Sequence, residues 1–360
     1  MIQKGCSGRR DMPKKGPDAN LDILRAVAVA TVLLTHLLQV SAGLKLSERL
    51  AFGIDTYSLG ASGVLLFFVH TCFVLMQSME RTAATRAGWP LIRHFYIRRA
   101  CRIYPLSITI VVLVVLASLP PNALGSPYRW PGVGGFFANL LLIQNVTHSR
   151  NVTGPLWSLP FEVQMYLVLP FLFLLVHGRR FGGLWLALVY IAGAALSPLH
   201  PLLIYAPCFL AGVVAFHLLG RLRPLLPGSL WPLALLAAVV IYAWAPYSTG
   251  RLKDILLCLP VAALIPIFRE NRGPVAAIAA PIAKYSYGIY LCHTPALWLV
   301  YRKLPVAAWS RPFLWIALTA MLSMLCYRFV ERPMIDLGTR LANREPESKR
   351  EFAGEALAAG

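Results

Sequence analysis

Two ionisable residues lie in the first long apolar stretch of the chain, residues 22–41. Arg25 and His36 are eleven positions apart, which places both on one face of a helix, about 16 Å apart along its axis. A charge inside a membrane costs at least about 2.5–3.5 kcal/mol, so each of them needs a partner or a function. The structural alternatives are that Arg25 extends to the cytoplasmic surface and that His36 makes an interhelical hydrogen bond.

A carboxylate, Glu162, lies about five residues inside a second apolar run, in the segment LWSLPFEVQMYLVLP (156–170). If the two runs cross the membrane in opposite directions, His36 and Glu162 lie at similar depth. A carboxylate that orients an imidazole and raises its basicity forms an acid–base unit, so both residues are candidate catalytic groups. The alternative is a purely structural His–Glu pair. The other candidate cavity-lining residues of this segment are Trp157, Ser158 and Tyr166.

The segment FYIRRACRIYP (95–105) places Arg99 and Arg102 three positions apart, on one side of a helix. Two guanidinium groups so placed can hold phosphate oxygens. The alternative is that they anchor the cytoplasmic end of a span. His70 and His293 also lie inside apolar runs and are further cavity-lining candidates, although a packing role is the simpler interpretation of each.

The composition requires a membrane. Of 360 residues, 58% are hydrophobic and 14% charged, with a mean hydropathy of +0.62. These values exclude a soluble enzyme, a disordered chain and a secreted disulfide-rich domain. The seven cysteines form no metal-ligand or redox motif, so we predict no metal, no permanently bound cofactor and no disulfide framework. The net charge of +19 is typical of positively charged cytoplasmic loops, so nucleic acid is not an expected partner.

The fold class predicted is all-α, a polytopic membrane protein of about ten transmembrane helices. The predicted spans are 22–41, 60–79, 103–119, 157–176, 183–198, 201–218, 230–246, 253–268, 284–302 and 312–331. With both termini on one side, that side has 24 Lys and Arg against 9 on the other, which predicts cytoplasmic termini. A short apolar patch at 136–143 is predicted to be re-entrant or interfacial. The predicted divisions are a basic cytoplasmic tail (1–20), a membrane domain (21–335) and a charged cytoplasmic tail (336–360).

Five segments, in this order, resemble the acyltransferase 3 family of integral-membrane acyltransferases, which includes O-acetylases of bacterial surface polysaccharides. They are LDILRAVAVATVLLTH (21–36), GVLLFFVHTCFVL (63–75), FYIRRACRIYP (95–105), LWSLPFEVQMYLVLP (156–170) and YSYGIYLCHTP (285–295). The resemblance implies a ten-helix core that takes acyl groups from cytoplasmic acyl-CoA for an acceptor at the outer face. It also implies that Arg25 and His36 are essential, that His36 is the catalytic residue, and that Arg99 and Arg102 lie near the donor.

The second segment departs from the family pattern. FFVHTCF (67–73) stands where relatives have a sequence like FFVLSGF, so Cys72 replaces a glycine, and His70 and Thr71 replace an apolar residue and a serine. If the glycine makes room for a substrate, the substrate of this protein differs from those of other members.

We therefore predict an O-acyltransferase of the bacterial inner membrane. It moves an acyl group, expected to be acetyl, from acyl-CoA to a sugar hydroxyl of a surface glycan or glycolipid. Arg25, Arg99 and Arg102 are the expected substrate-binding residues, and His36 acts either as a base or through a covalent acyl-histidine. The alternatives are a transporter or flippase with a His/Glu proton relay, and a membrane scaffold without chemistry. The sequence leaves the acceptor and the oligomeric state open.

Overall fold

The computed structural model describes residues 19–41, 50, 53–122, 127–245 and 250–344, and within these ranges all regular structure is helical. Proline in the first turn, where its fixed φ suits a helix and its missing N–H is not needed, begins seven of the helices. The α-helices are α1 (Ala19–Ser41), α2 (Thr56–Ala83), α3 (Trp89–Leu116), α4 (Gly132–Leu140), α5 (Leu159–Val176), α6 (Gly182–Leu196), α7 (Ala206–Leu218), α8 (Trp231–Trp244), α9 (Arg251–Leu264), α10 (Pro274–Trp298), α11 (Arg311–Cys326) and α12 (Arg332–Asn343). The predicted all-α class is confirmed. Most of the predicted basic tail and the last sixteen residues lie outside the described ranges.

Among the residues that the structure describes, seven helical stretches are long and apolar enough to cross a membrane, which confirms a multi-pass membrane protein. They are Ala19–Ser41, Thr56–Ala83, Trp89–Leu116, Gly154–Val176, Pro201–Leu218, Pro274–Lys303 and Ala308–Asn343. Three further predicted spans correspond to shorter helices, α6, α8 and α9. The first two are apolar, whereas α9 has 14 residues and begins with two basic side chains and one acidic one. Length and composition alone therefore support seven spans and do not confirm the predicted ten.

Helix α2 is the centre of the bundle and packs against α1 and α7 through glycines. A Cβ on Gly63 would collide with the carbonyl oxygen of Ala28 in α1. A Cβ on Gly212 of α7 would collide with the carbonyl oxygen of Val69 and approach the Cβ of Cys72 to 2.9 Å. Small residues at these positions allow the helices to pack closely, as membrane helices commonly do. Cys72 is thus accommodated by a glycine on the neighbouring helix.

The connection between α3 and α5 folds back onto the bundle. Asn139, fully buried in α4, donates to the carbonyl oxygens of Gly135 and Arg150 (2.8 and 2.9 Å) and accepts from the amide of Val152 (3.1 Å). These bonds hold together the two ends of the loop that follows the short helix. The predicted short element at 136–143 is therefore the nine-residue helix α4 and its following turn, and the chain then enters α5 through the 3₁₀ turn Gly154–Trp157.

The last helices continue beyond the predicted domain boundary at 335. After a π-helical turn at Tyr327–Glu331, α12 packs along α3. A Cβ on Gly338 would approach the Cβ of Cys101 to 2.6 Å, and Arg86 donates to the carbonyl oxygen of Ala342 (3.2 Å). The packed part of the chain thus extends to Asn343. Residues 336–343 belong to the helical domain, because the face of α12 that has Gly338 packs closely against α3.

Candidate functional site

A cavity of about 210 Å³ lies in the middle of the bundle, between α1, α2, α3, α5 and α10. Its apolar wall is formed mainly by α2. The polar lining comprises Arg25, His70, Thr71, Arg99, Arg102, Ser158, Glu162, Tyr166, Ser286, Tyr287 and Tyr290. We call this space the central cavity. It brings together seven of the ten residues predicted from the sequence: three arginines, one carboxylate, one histidine, one serine and one tyrosine.

Arg25 and Glu162 each have a polar partner at the central cavity. Arg25 Nη2 donates to Ser286 Oγ at 2.8 Å, which fixes the guanidinium group between α1 and α10. Glu162 and Tyr166, one turn apart on α5, share a hydrogen bond in which the tyrosine hydroxyl donates. The arginine is therefore not extended to a membrane surface, because its side chain lines the cavity.

Arg102 pairs with an acid that the sequence analysis did not select. Its Nη1 lies 2.6 Å from Oε2 of Glu331, whose side chain is 0% exposed. The second carboxylate oxygen of Glu331 is buried without a hydrogen-bond partner among the described residues. A Cβ on Gly288, in the matched segment YSYGIYLCHTP, would approach that oxygen to 3.2 Å, so the glycine leaves room for the carboxylate. The sequence does point to Glu331, because this acid lies at the end of the last apolar run, as Glu162 lies near the beginning of another.

His36 lies outside the lining of the central cavity, toward the far end of α1. Its ring centroid is 5.0 Å from that of His293, and the neighbouring Thr35 donates to the carbonyl oxygen of Thr56 at 3.3 Å. The expected juxtaposition with Glu162 does not appear among the contacts of either residue in the described ranges. Similar depth in the membrane does not make His36 and Glu162 neighbours, because their helices do not pack on each other. Helix α1 packs against α2, α8 and α10, whereas α5 packs against α2, α3, α6 and α7.

Two aromatic rings connect His36 with the central cavity. The His293 ring lies 5.9 Å from Tyr290, and the Tyr290 hydroxyl is 2.8 Å from Ser158 Oγ, which lines the cavity. His293 is held by its backbone, whose carbonyl oxygen accepts from Trp315 Nε1 at 2.9 Å. Its Nε2 is buried without a partner in the described part of the chain. His293 therefore contacts His36 and does not line the cavity itself.

Trp157 lies outside the central cavity and lines a second one, of about 180 Å³, near the beginning of α2. Its ring contacts Tyr205, with centroids 5.5 Å apart. Of the cavity-lining candidates, His70, Ser158 and Tyr166 lie in the central cavity, Trp157 in the second cavity, and His293 between His36 and Tyr290. Ser286, Tyr287 and Tyr290 were not predicted, because hydroxyl groups at helical spacing are as common in packing as in sites.

The fold and the site together define a multi-pass membrane protein with a charged cavity between its helices. Residues 18–328 match the model of the acyltransferase domain, and the chain belongs to this acyltransferase 3 family. It is accordingly an acyltransferase for groups other than aminoacyl groups. This assignment confirms the resemblance found in the sequence and favours the enzyme over the transporter and the scaffold.

Three curated proteins illustrate the similarity. The exopolysaccharide production protein ExoZ of Rhizobium meliloti is 28% identical over 78% of this chain and 92% of its own length. The peptidoglycan O-acetyltransferase OatA of Listeria monocytogenes is 26% identical over 88% of this chain, but over only 55% of its own length. Nodulation protein 10 of Rhizobium leguminosarum is 24% identical over 90% of this chain and 95% of its own length. No solved structure matches the chain.

Proposed function

We propose that this protein is a bacterial inner-membrane O-acetyltransferase that moves an acetyl group from cytoplasmic acetyl-CoA to a sugar hydroxyl of a surface glycan or glycolipid. The observation that carries the proposal is the central cavity, where three arginines meet Glu162 and Tyr166 inside an apolar bundle. The names of two relatives, a peptidoglycan O-acetyltransferase and an exopolysaccharide production protein, support a glycan acceptor.

The three arginines would bind the donor. CoA is polyanionic, and guanidinium groups form strong hydrogen bonds with phosphate. Arg102 uses one nitrogen for Glu331, which leaves other N–H groups of its fork for a ligand. Arg25, held by Ser286, lines the same cavity and would bind a phosphate oxygen of the donor there.

His36 would act as the general base. Its imidazole takes the proton from the acceptor hydroxyl while the hydroxyl oxygen attacks the thioester carbonyl carbon. The C–S bond then breaks, and the CoA thiolate leaves and is protonated by the imidazolium. His293, in ring contact with His36, would position the imidazole. Glu162 would act within the central cavity, through Tyr166 and the arginines, and His70 is the alternative base because it lines that cavity.

The membrane topology proposed here has ten crossings and cytoplasmic termini. The shorter helices α6, α8 and α9 would complete the seven long stretches, inserting within the bundle where neighbours satisfy polar groups. The 24 to 9 distribution of Lys and Arg supports the orientation.

A CoA-release assay tests this function. Membranes containing the protein are incubated with acetyl-CoA and with surface polysaccharide extracted from a strain that lacks the gene. Thiol release that depends on the polysaccharide, with acetyl groups found on it by mass spectrometry, is the expected result. Thiol release that is the same in membranes with and without the protein would overturn the proposal.

A further inference from the structure

The second cavity, lined by Trp157, lies at the other end of the bundle from the arginines of α3. Helix α2 gives the scale: Tyr57, Ala61 and Leu65 line the second cavity, and Val64 to Leu75 contribute to the central cavity. The later residues Ser78 and Met79 lie beside Arg98 and Arg99. At 1.5 Å per residue, Tyr57 is about 30 Å from the level of these arginines. On the predicted orientation, the second cavity is at the outer face.

The lining of this cavity combines aromatic rings with a small charged network. The aromatic residues are Tyr57, Trp157, Tyr205 and Tyr242. Asp254 accepts hydrogen bonds from the Tyr242 hydroxyl (2.7 Å) and from Arg251 (3.2 Å). Lys253 is buried, donates to Ser58 Oγ at 2.6 Å, and lies 4.6 Å from the centre of the Tyr242 ring. Such a network is costly to build inside an apolar bundle, and packing alone does not require it.

One layer of side chains separates this cavity from the central one. Tyr205 contacts Trp157 on one side and Phe68, which lines the central cavity, on the other, with ring centroids 5.5 Å apart in both cases. Trp157 is followed directly by Ser158, which lines the central cavity. A ligand in the second cavity would therefore lie next to the space proposed for the acetyl donor.

We propose that the second cavity binds a sugar residue of the acceptor glycan; this inference rests on the proposed function. Aromatic rings offer flat apolar surfaces for the C–H face of a pyranose. Arg251 and Asp254, held in a fixed arrangement, offer donors and acceptors for hydroxyl groups at the edge of the ring. A phosphate alone would not need four aromatic residues, and a lipid chain would not need the three charged ones.

The test compares variants at the same end of the bundle. Tyr57→Ala removes a ring from the cavity. Trp244→Ala is the matched control, because Trp244 is an exposed aromatic residue at the same level of the bundle. Its neighbour Ala243 accepts a hydrogen bond, through its carbonyl oxygen, from the amide of Asp55 at 2.9 Å, just before Tyr57. Tyr57→Phe keeps the ring, and Arg251→Gln removes a charge. Each full-length protein is purified in detergent and checked by size-exclusion chromatography.

We expect Tyr57→Ala and Arg251→Gln to raise the KM for the extracted polysaccharide about tenfold and to leave the KM for acetyl-CoA unchanged. Trp244→Ala should behave as wild type, and Tyr57→Phe, which keeps the ring, should raise the acceptor KM less than Tyr57→Ala does. Binding of the polysaccharide without acetyl-CoA, measured by calorimetry, should weaken in Tyr57→Ala and Arg251→Gln. If Tyr57→Ala and Arg251→Gln both leave the acceptor KM and the polysaccharide binding unchanged, the sugar site is overturned and the proposed transferase activity is not. If the wild-type protein neither binds nor acetylates the polysaccharide, the proposed function itself is overturned.

Discussion

Arg98 and Arg99 are neighbours in the chain, but only Arg99 lines the central cavity. Because a lysine keeps the charge and loses the forked geometry, Arg99→Lys should raise the KM for acetyl-CoA about tenfold, with normal membrane insertion. Arg98→Lys is the control and should leave donor kinetics unchanged. Steady-state CoA release at varied acetyl-CoA measures both. Equal donor KM in the two variants would mean that Arg99 only anchors the helix at the membrane surface.

The ion pair Arg102–Glu331, with a buried carboxylate and a guanidinium group that is 23% exposed, should matter for stability as well as for the donor. Removing one partner of a fully buried ion pair typically costs about 3–5 kcal/mol, because the other charge remains without compensation, and solvent at Arg102 reduces this cost. We therefore expect Glu331→Gln to lower the midpoint of thermal unfolding in detergent clearly. Glu270→Gln is the control, because Glu270 Oε2 lies 3.7 Å from Nη2 of Arg272, whose side chain is 88% exposed. Breaking such a surface pair should cost about 0–1 kcal/mol. Similar midpoints for both variants would show that Glu331 is not a stabilising partner.

Side-chain chemistry at membrane depth was predictable at several positions and not at others. Arg25 and Glu162 were predicted because charge in an apolar run is costly, and Arg99 and Arg102 because their spacing allows a shared phosphate contact; all four line one cavity. The partner of His36 was not predictable. Helical spacing gives the depth and face of a residue on its own helix, but only the packing of α1 on α10 brings it beside His293.

Helix packing around α2 depends on glycines at which an added Cβ would collide with the neighbouring helix. Gly212→Ala would place a methyl group against the carbonyl oxygen of Val69 in α2, and backbone cannot easily move away. We expect a clear loss of thermal stability in detergent and reduced membrane yield. Gly134→Ala in α4 meets nothing within 4 Å and should be neutral or slightly stabilising, because alanine is the better helix former. An unaffected Gly212→Ala protein would mean that α2 and α7 are not in close contact.

The apolar runs predict where the helices lie better than they predict where each helix begins and ends. The predicted first span, 22–41, matches α1 to within three residues. The predicted span 103–119 is only the second part of α3, which begins at Trp89. Its first part has Arg93, Arg98 and Arg99, whose charges lower the local hydropathy although the helix accommodates them. The predicted tail, 336–360, likewise includes the polar second part of α12.

The whole molecule has its proposed donor cavity and proposed sugar cavity at successive levels of α2. Such an arrangement is expected of a protein that receives a group from one side of the membrane and delivers it toward the other. It requires the orientation predicted from the charges. Reporter fusions at Arg10 and at Ala353 should both indicate the cytoplasm. Opposite locations would require an odd number of spans, and a periplasmic location of both would reverse the two cavities.

The most direct test of the account is His36→Gln. Glutamine has a similar size and can hydrogen-bond, but it cannot accept a proton at working pH. If His36 is the base, acetyl transfer to the polysaccharide should fall about 10²–10⁴-fold. Membrane insertion and acetyl-CoA binding should stay at wild-type levels, because His36 lies outside the central cavity. His70→Gln, at the cavity wall, is compared in the same assay. A His36→Gln protein that acetylates at the wild-type rate would contradict the account and make His70 or Glu162 the next candidate.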